Sequence, residues 1–124
     1  MRQLDHERLR VYHVSLEFLS CADLLIAALP RGHANLADQL YRAASSISLN
    51  IAEGAGEFSP PDKARFYRMA RRSAAECAAI LDICERLAVA NADQLAPGRD
   101  LLVQLVAMLT TMARRRTEPR GANE

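Results

Sequence analysis

Apolar residues recur at intervals of three and four in four separate stretches of this 124-residue chain, and each stretch ends at turn-forming residues. That spacing places the apolar positions on one side of a helix and is incompatible with the strict alternation of a half-buried strand. Four amphipathic helices joined by short connections bury their stripes against one another. The pattern therefore predicts an all-α protein, an up-down-up-down antiparallel four-helix bundle forming a single domain over 1–124, with a frayed tail over about 117–124. Half of the residues are apolar by type, mostly Ala and Leu, which fills one core without disulfide or metal support.

The first helix is predicted from Asp5 to Leu29, with Leu9, Tyr12, Leu16, Leu19 and Ile26 on its buried side, ending at Pro30-Arg31-Gly32. The second, Ala34 to Glu53, carries Leu36, Leu40, Ala43, Ala44, Ile47 and Ile51, and Gly54 to Gly56 read as its stop. The third has Ser59 as cap, Pro60 at the first helical position and Asp62 three residues after the serine. Its stripe runs through Phe66, Ala70, Ser73, Cys77, Ile80, Leu81, Cys84 and Leu87 to about Val89. The fourth begins between Asp93 and Gly98, so that Pro97 falls in the first turn, and buries Leu101, Leu102, Leu105, Met108, Leu109 and Met112.

Catalytic and metal chemistry find little to work with. A di-iron bundle needs Glu-x-x-His on two helices, and the sequence contains none. His13 and Glu17 stand four apart and read as a surface pair rather than metal ligands. Cys77 and Cys84 lie about 10 Å apart along one helix, too far to bridge, and read as small core residues. Gly54-Ala55-Gly56 lacks the preceding strand and following Lys-Ser or Lys-Thr of a phosphate loop. The expectation is a non-enzymatic protein with no cofactor, metal or small-molecule substrate. The N-terminal residues do not lead into a signal-peptide core and no long uncharged apolar run exists, so a cytoplasmic location without membrane contact is expected.

Two polar features stand out. At about 100° per residue, Arg42, Ser46, Asn50 and Glu53 project within roughly 80° of one another, beside the apolar stripe of the second helix and not opposite it. Ser73 and Glu76 of the third helix are their natural partners. The six read as a structural polar network, with a ligand site or plain solvation as the alternatives.

Basic residues are 15 Arg and one Lys against a net charge of only +1. Arg65, Arg68, Arg71 and Arg72 form a band on the third helix, and Arg114, Arg115 and Arg116 crowd the end of the fourth. The band reads either as a solvated face or as a contact for the nucleic-acid backbone. The corresponding functions are a nucleic-acid-associated adaptor, for RNA or DNA or an enzyme acting on them, and a protein-interaction scaffold.

The run Leu40-Tyr41-Arg42-Ala43-Ala44-Ser45-Ser46-Ile47-Ser48-Leu49-Asn50-Ile51-Ala52-Glu53-Gly54, with Arg65 to Ala70 and Ser73 to Glu76, resembles the family of four-helix-bundle proteins encoded in 23S rRNA intervening sequences. The resemblance extends from about Leu9 to Met112. It implies an up-down bundle that associates with itself as a homopentamer, without enzymatic activity, and a likeness in fold to the accessory protein of diversity-generating retroelements. It also makes Arg42, Ser46, Asn50, Glu53, Ser73 and Glu76 signature positions. Two positions depart from the family's habit, Arg72 in place of a small residue and Glu57 in place of a basic one, which argues against a phosphate contact at the loop after the second helix.

Overall fold

The structure is a computed structural model that describes residues 3–117, with side chains through Arg115. A 3-10 turn over Asp5–Arg8 leads into α1 (Arg10–Ala28), α2 (Ala34–Gly56), α3 (Pro60–Arg86) and α4 (Ala92–Thr117), and no strand occurs among the described residues. Each helix packs on its two neighbours in the ring α1, α2, α3, α4, and among the described residues the diagonal pairs have no close backbone approach, their side chains converging only in the core. Arg71 reaches Thr110 while Asp82 reaches Arg99, so positions rise on α3 as they fall on α4. Ser46 facing Ser73 and Gly54 facing Tyr67 set the same antiparallel sense for α2 and α3. The up-down-up-down bundle expected from the periodicity is the fold. The frayed tail expected from 117 onward lies outside the described residues beyond Thr117.

The core is continuous across all four helices. Phe18, Ile47, Ile51, Tyr67, Leu81, Leu95, Leu102, Leu105 and Leu109 are each at most 2% exposed. Burying a side chain of that size stabilises the fold by about 1.5–3 kcal/mol.

The helix α1 faces inward through Val11, Val14, Ser15, Phe18 and Ala22, not through the predicted Leu9, Tyr12, Leu16, Leu19 and Ile26. Leu16 is exposed, and the other four flank the core. The stripe is rotated by about one residue, roughly 100°. This helix is apolar nearly all round, so spacing alone offers several stripes, and the one chosen puts Phe18 at the centre. By length and composition α1 is also apolar enough to cross a bilayer. Its Glu17 and Asp23 interrupt that surface, and its inward side closes this core.

Helix α2 buries Leu40, Ala43, Ala44, Ile47 and Ile51 as expected, with Leu36 partly covered. Its end differs from the expectation, because Gly54 to Gly56 continue the helix. Gly54 is a packing residue: a Cβ there would lie 2.7 Å from Tyr67 Cε1. The helix closes where Lys63, the chain's one lysine, donates Nζ to the carbonyls of Gly54 at 3.3 Å and Ala55 at 2.9 Å. A cation there satisfies orphan carbonyls and complements the helix dipole.

The start of α3 matches its sequence signal. Ser59 Oγ accepts the Asp62 backbone N–H at 3.2 Å and donates to Asp62 Oδ2 at 2.8 Å. Tyr67, not Phe66, is the large buried aromatic, and Leu87 is 55% exposed as the C-terminal cap rather than a core residue. Ala88 then adopts φ +57°, with the Ala88 and Val89 N–H groups bonded to the carbonyls of Glu85 and Cys84. This is a Schellman ending in which alanine stands where glycine costs least.

Helix α4 begins earlier than predicted. Asn91 and Gln94 exchange side-chain to backbone bonds of 2.9 Å each way, a capping box that starts the helix at Ala92. Pro97 therefore sits in the second turn, at the cost of one backbone hydrogen bond. Leu95, Leu102, Leu105, Leu109 and Ala113 are buried, while Leu101, Met108 and Met112 flank the core.

Candidate nucleic-acid interface

The polar strip of α2 divides into a bonded part and a solvated part. Ser73 Oγ donates to Ser46 Oγ at 3.0 Å, and Asn50 Nδ2 donates to the same oxygen at 3.0 Å and to the Ser46 carbonyl at 2.9 Å. Ser46, Asn50 and Ser73 are thus linked, with the Ser73–Ser46 bond crossing between α3 and α2 and both Asn50 bonds staying within α2. Arg42 does not join it: its guanidinium pairs with Asp38 one turn back, which raises its pKa by hydrogen bond and charge. Glu53 and Glu76 are exposed and form no hydrogen bond or ion pair among the described residues. The reason is angular. Arg42 and Glu53 lie on the outer edge of the strip, where Arg42 shares an open concavity with Glu76 of α3 but pairs with Asp38, whereas Ser46 and Asn50 lie on its inner edge.

Sequence reasoning missed a second hydroxyl pair. Ser15 Oγ and Ser48 Oγ meet at 2.8 Å between α1 and α2, both buried. Ser15 donates its single proton to the Tyr12 carbonyl at 2.5 Å, which leaves Ser48 to donate to Ser15. The signal was present in the spacing of Ser15 with Val11, Phe18 and Ala22, but the rotated α1 stripe hid it.

Cys77 and Cys84 lie in the core, at 0% and 2% exposure. Burial, with the charge of Glu76 adding to it, pushes the Cys77 thiol up to about 12, and burial also raises Cys84. Both are poor nucleophiles at neutral pH. His13 donates Nε2–H to the Glu7 carbonyl at 2.7 Å rather than pairing with Glu17.

The arginines occupy another side of the molecule. Arg65, Arg68, Arg71 and Arg72 are all exposed on α3. Arg65 and Arg72, seven residues apart, stand on one line about 10 Å long, with Arg68 between them. Arg65 lies 4.9 Å over the Phe66 ring, a contact that holds a guanidinium in place while its edge stays open to an anion. Arg71 Nε donates to Thr110 Oγ1 at 2.6 Å, and Thr110 Oγ1 donates to the Val106 carbonyl at 2.7 Å. Arg68, Arg71, Thr110, Ala113 and Arg114 line one notch of about 300 Å3 between α3 and α4. Arg115 is exposed nearby on α4, and the side chain of Arg116 lies outside the described residues.

Antiparallel packing gives this region its charge. It sets the N-terminal half of α3 against the C-terminal half of α4, and neither residues 63–75 nor residues 101–117 contain an Asp or Glu. A chain of net charge +1 thereby gathers Arg65, Arg68, Arg71, Arg72, Arg114 and Arg115 without an intervening carboxylate on these two segments.

Fold and surface together define an all-α four-helix bundle with an arginine-rich α3–α4 face. The chain belongs to the 23S rRNA-intervening sequence protein family, whose family model matches residues 7–111. No curated protein matches the chain.

Proposed function

We propose that this protein is a non-enzymatic, self-associating bundle that acts as a nucleic-acid-associated adaptor. The α3–α4 face takes RNA or DNA backbone through Arg65, Arg68, Arg71 and Arg72 together with the Arg114 to Arg116 cluster. The observation that carries this reading is the carboxylate-free meeting of residues 63–75 with residues 106–117. Phosphate backbones are attracted by such local concentrations of guanidinium, whatever the net charge of the chain. The near-zero total charge limits what one subunit holds, and repetition of the face around a homopentameric ring, the assembly implied by the resemblance to the family, supplies avidity.

The test is native mass measured together with binding of labelled single-stranded RNA and duplex DNA at several salt concentrations. A multiple of the subunit mass and salt-sensitive binding are expected. A monomer contradicts the repetition of the face, and absence of binding at low salt contradicts the nucleic-acid reading. The second reading, a scaffold for protein partners, draws on a separate feature of the α3–α4 side.

A further inference from the structure

The crevice between α3 and α4 carries two dissimilar concavities in line. Ala78, Arg99, Leu102, Val103, Val106 and Ala107 enclose about 320 Å3 with an almost wholly apolar lining. Val103 is 69% exposed there, a large apolar side chain without a cover. One turn further along α4, Thr110 opens the cationic notch that Arg68 and Arg71 line from α3. Arg99, at the far end, is paired with Asp82 across the helices, so its charge is answered within the fold. The crevice is therefore polarised, apolar over Val103 and Ala107 and positive over Arg68 and Arg71.

From Arg99 to Thr110 the helical rise is about 16 Å, the span of about five residues of extended chain. A nucleic-acid backbone gains nothing from Val103 and Ala107. A lipid chain laid in this trough remains wetted along its open side, where both residues are exposed. A peptide segment with apolar side chains followed by carboxylates matches both halves, since it covers the apolar surface and its acids meet unanswered guanidinium groups.

We propose that the α3–α4 crevice is a docking site for a short apolar-then-acidic segment of a partner protein, seated on Val103 and Ala107 and held by Arg68 and Arg71. The site shares Arg68 and Arg71 with the nucleic-acid reading, but its apolar half at Val103 and Ala107 has no part in that reading, and docking does not require nucleic acid to be bound.

The experiment is selection of a displayed random-peptide library on the folded wild-type protein, followed by affinity measurement of recovered peptides on variants. Val103 is exposed, so Val103→Asp is expected to keep wild-type helicity, and Ala107→Glu serves as a second variant should it not. Recovered peptides are expected to carry two apolar residues with acidic residues within about four positions. Their affinity is expected to fall at least about tenfold on Val103→Asp and on Arg71→Gln, while Val103→Asn, which adds no charge, weakens peptide binding and leaves RNA affinity unchanged. No enrichment, peptides without acidic residues, or equal affinity for Val103→Asp overturns the docking site. Absence of RNA binding by the wild type, with peptide docking intact, overturns only the nucleic-acid reading.

Discussion

Where α3 meets α2, the helices touch through Ser46 and Ser73 and through the Gly54–Tyr67 contact, where the α2 side is a bare backbone. Where the same helix meets α4, the polar links are Arg71 to Thr110 and Arg99 to Asp82, and each seam keeps a concavity, about 320 Å3 and apolar beside α4 and about 500 Å3 beside α2. Small residues let two backbones approach until their polar groups satisfy one another. Both seams bring their helices equally close, and what differs is the outer edge, where long side chains of α3 and α4 keep their charged ends in water. A partly buried hydroxyl or amide bond contributes about 1 kcal/mol, whereas an exposed pair such as Arg99–Asp82 contributes about 0–1 kcal/mol. Both seams belong to the fold, and the difference leaves only the outer edge of the α3–α4 seam, with its exposed guanidinium groups, free to recognise something else.

The sharpest way to break the comparison is to charge the shared core. Ile47 and Leu81 are both 0% exposed, so Ile47→Asp or Leu81→Asp buries an unpaired carboxylate at a cost of several kcal/mol. Loss of the cooperative thermal transition is expected, while Ile83→Asp, on the exposed side of α3, retains it. A cooperative melt with unchanged helicity in Leu81→Asp contradicts the core assignment.

The two glycines at the end of α2 sharpen the same point. Gly54→Ala drives a Cβ to 2.7 Å from the buried Tyr67 ring and is expected to destabilise by about 1–3 kcal/mol. At Gly56 a Cβ meets nothing within 4 Å, so Gly56→Ala is expected to stabilise by up to about 1 kcal/mol. Urea midpoints moving in the same direction for both variants contradict the close α2–α3 approach.

Alkaline pH probes the inner side of α3. The Cys77 thiol titrates at about 12 in the folded protein against an ordinary 9.0. Burial favours the neutral form, so its contribution is complete below about pH 9 and is lost as pH rises toward 12, with a slope of up to about 1.4 kcal/mol per pH unit. Cys77→Ala is expected to lose that part of the slope, measured as unfolding free energy against pH, and an identical slope contradicts the burial of the thiol.

Smaller effects separate the bonded half of the strip from its solvated half. Ser73→Ala and Asn50→Ala are each expected to cost about 1 kcal/mol, and less than additively when combined, because both side chains donate to Ser46 Oγ. Glu53→Ala, on the exposed outer edge, is expected to stay within about 0.5 kcal/mol of wild type. Equal costs at Asn50 and Glu53 contradict the angular division.

Much of this fold was legible in the sequence because its strongest signals are local. Ser59-Pro60 with Asp62 announces the start of α3 through groups within one turn, and the α2 stripe is clean because the rest of that helix is mostly polar, the exposed Tyr41 and Leu49 apart. The α1 stripe was not legible, since a helix apolar on most sides has no unique inner face until its neighbours choose one. Asn91 and Gln94 form as local a signal as Ser59 and Asp62, but Pro97 competes with it, because a proline ordinarily marks a first turn. Gly54 reads as a helix stop from composition, and only the Tyr67 ring across the seam reveals it as a packing residue. At the candidate site, the band on α3 and the cluster on α4 were each visible. Their meeting in one notch depends on the antiparallel register of two helices whose facing residues stand about forty positions apart, as Arg71 and Thr110 do.

An arginine face that binds backbone phosphate does so without supporting the fold, and this separation is open to direct measurement. The measurement is the dependence of single-stranded RNA affinity on salt for the wild type and for Arg65→Gln/Arg68→Gln/Arg72→Gln, both confirmed to share one melting temperature. The slope of log affinity against log salt is expected to become shallower in the variant by about 0.7 for each phosphate that the missing guanidinium groups no longer neutralise, up to about two units in all. An unchanged slope and affinity in the folded variant contradicts phosphate binding by this face.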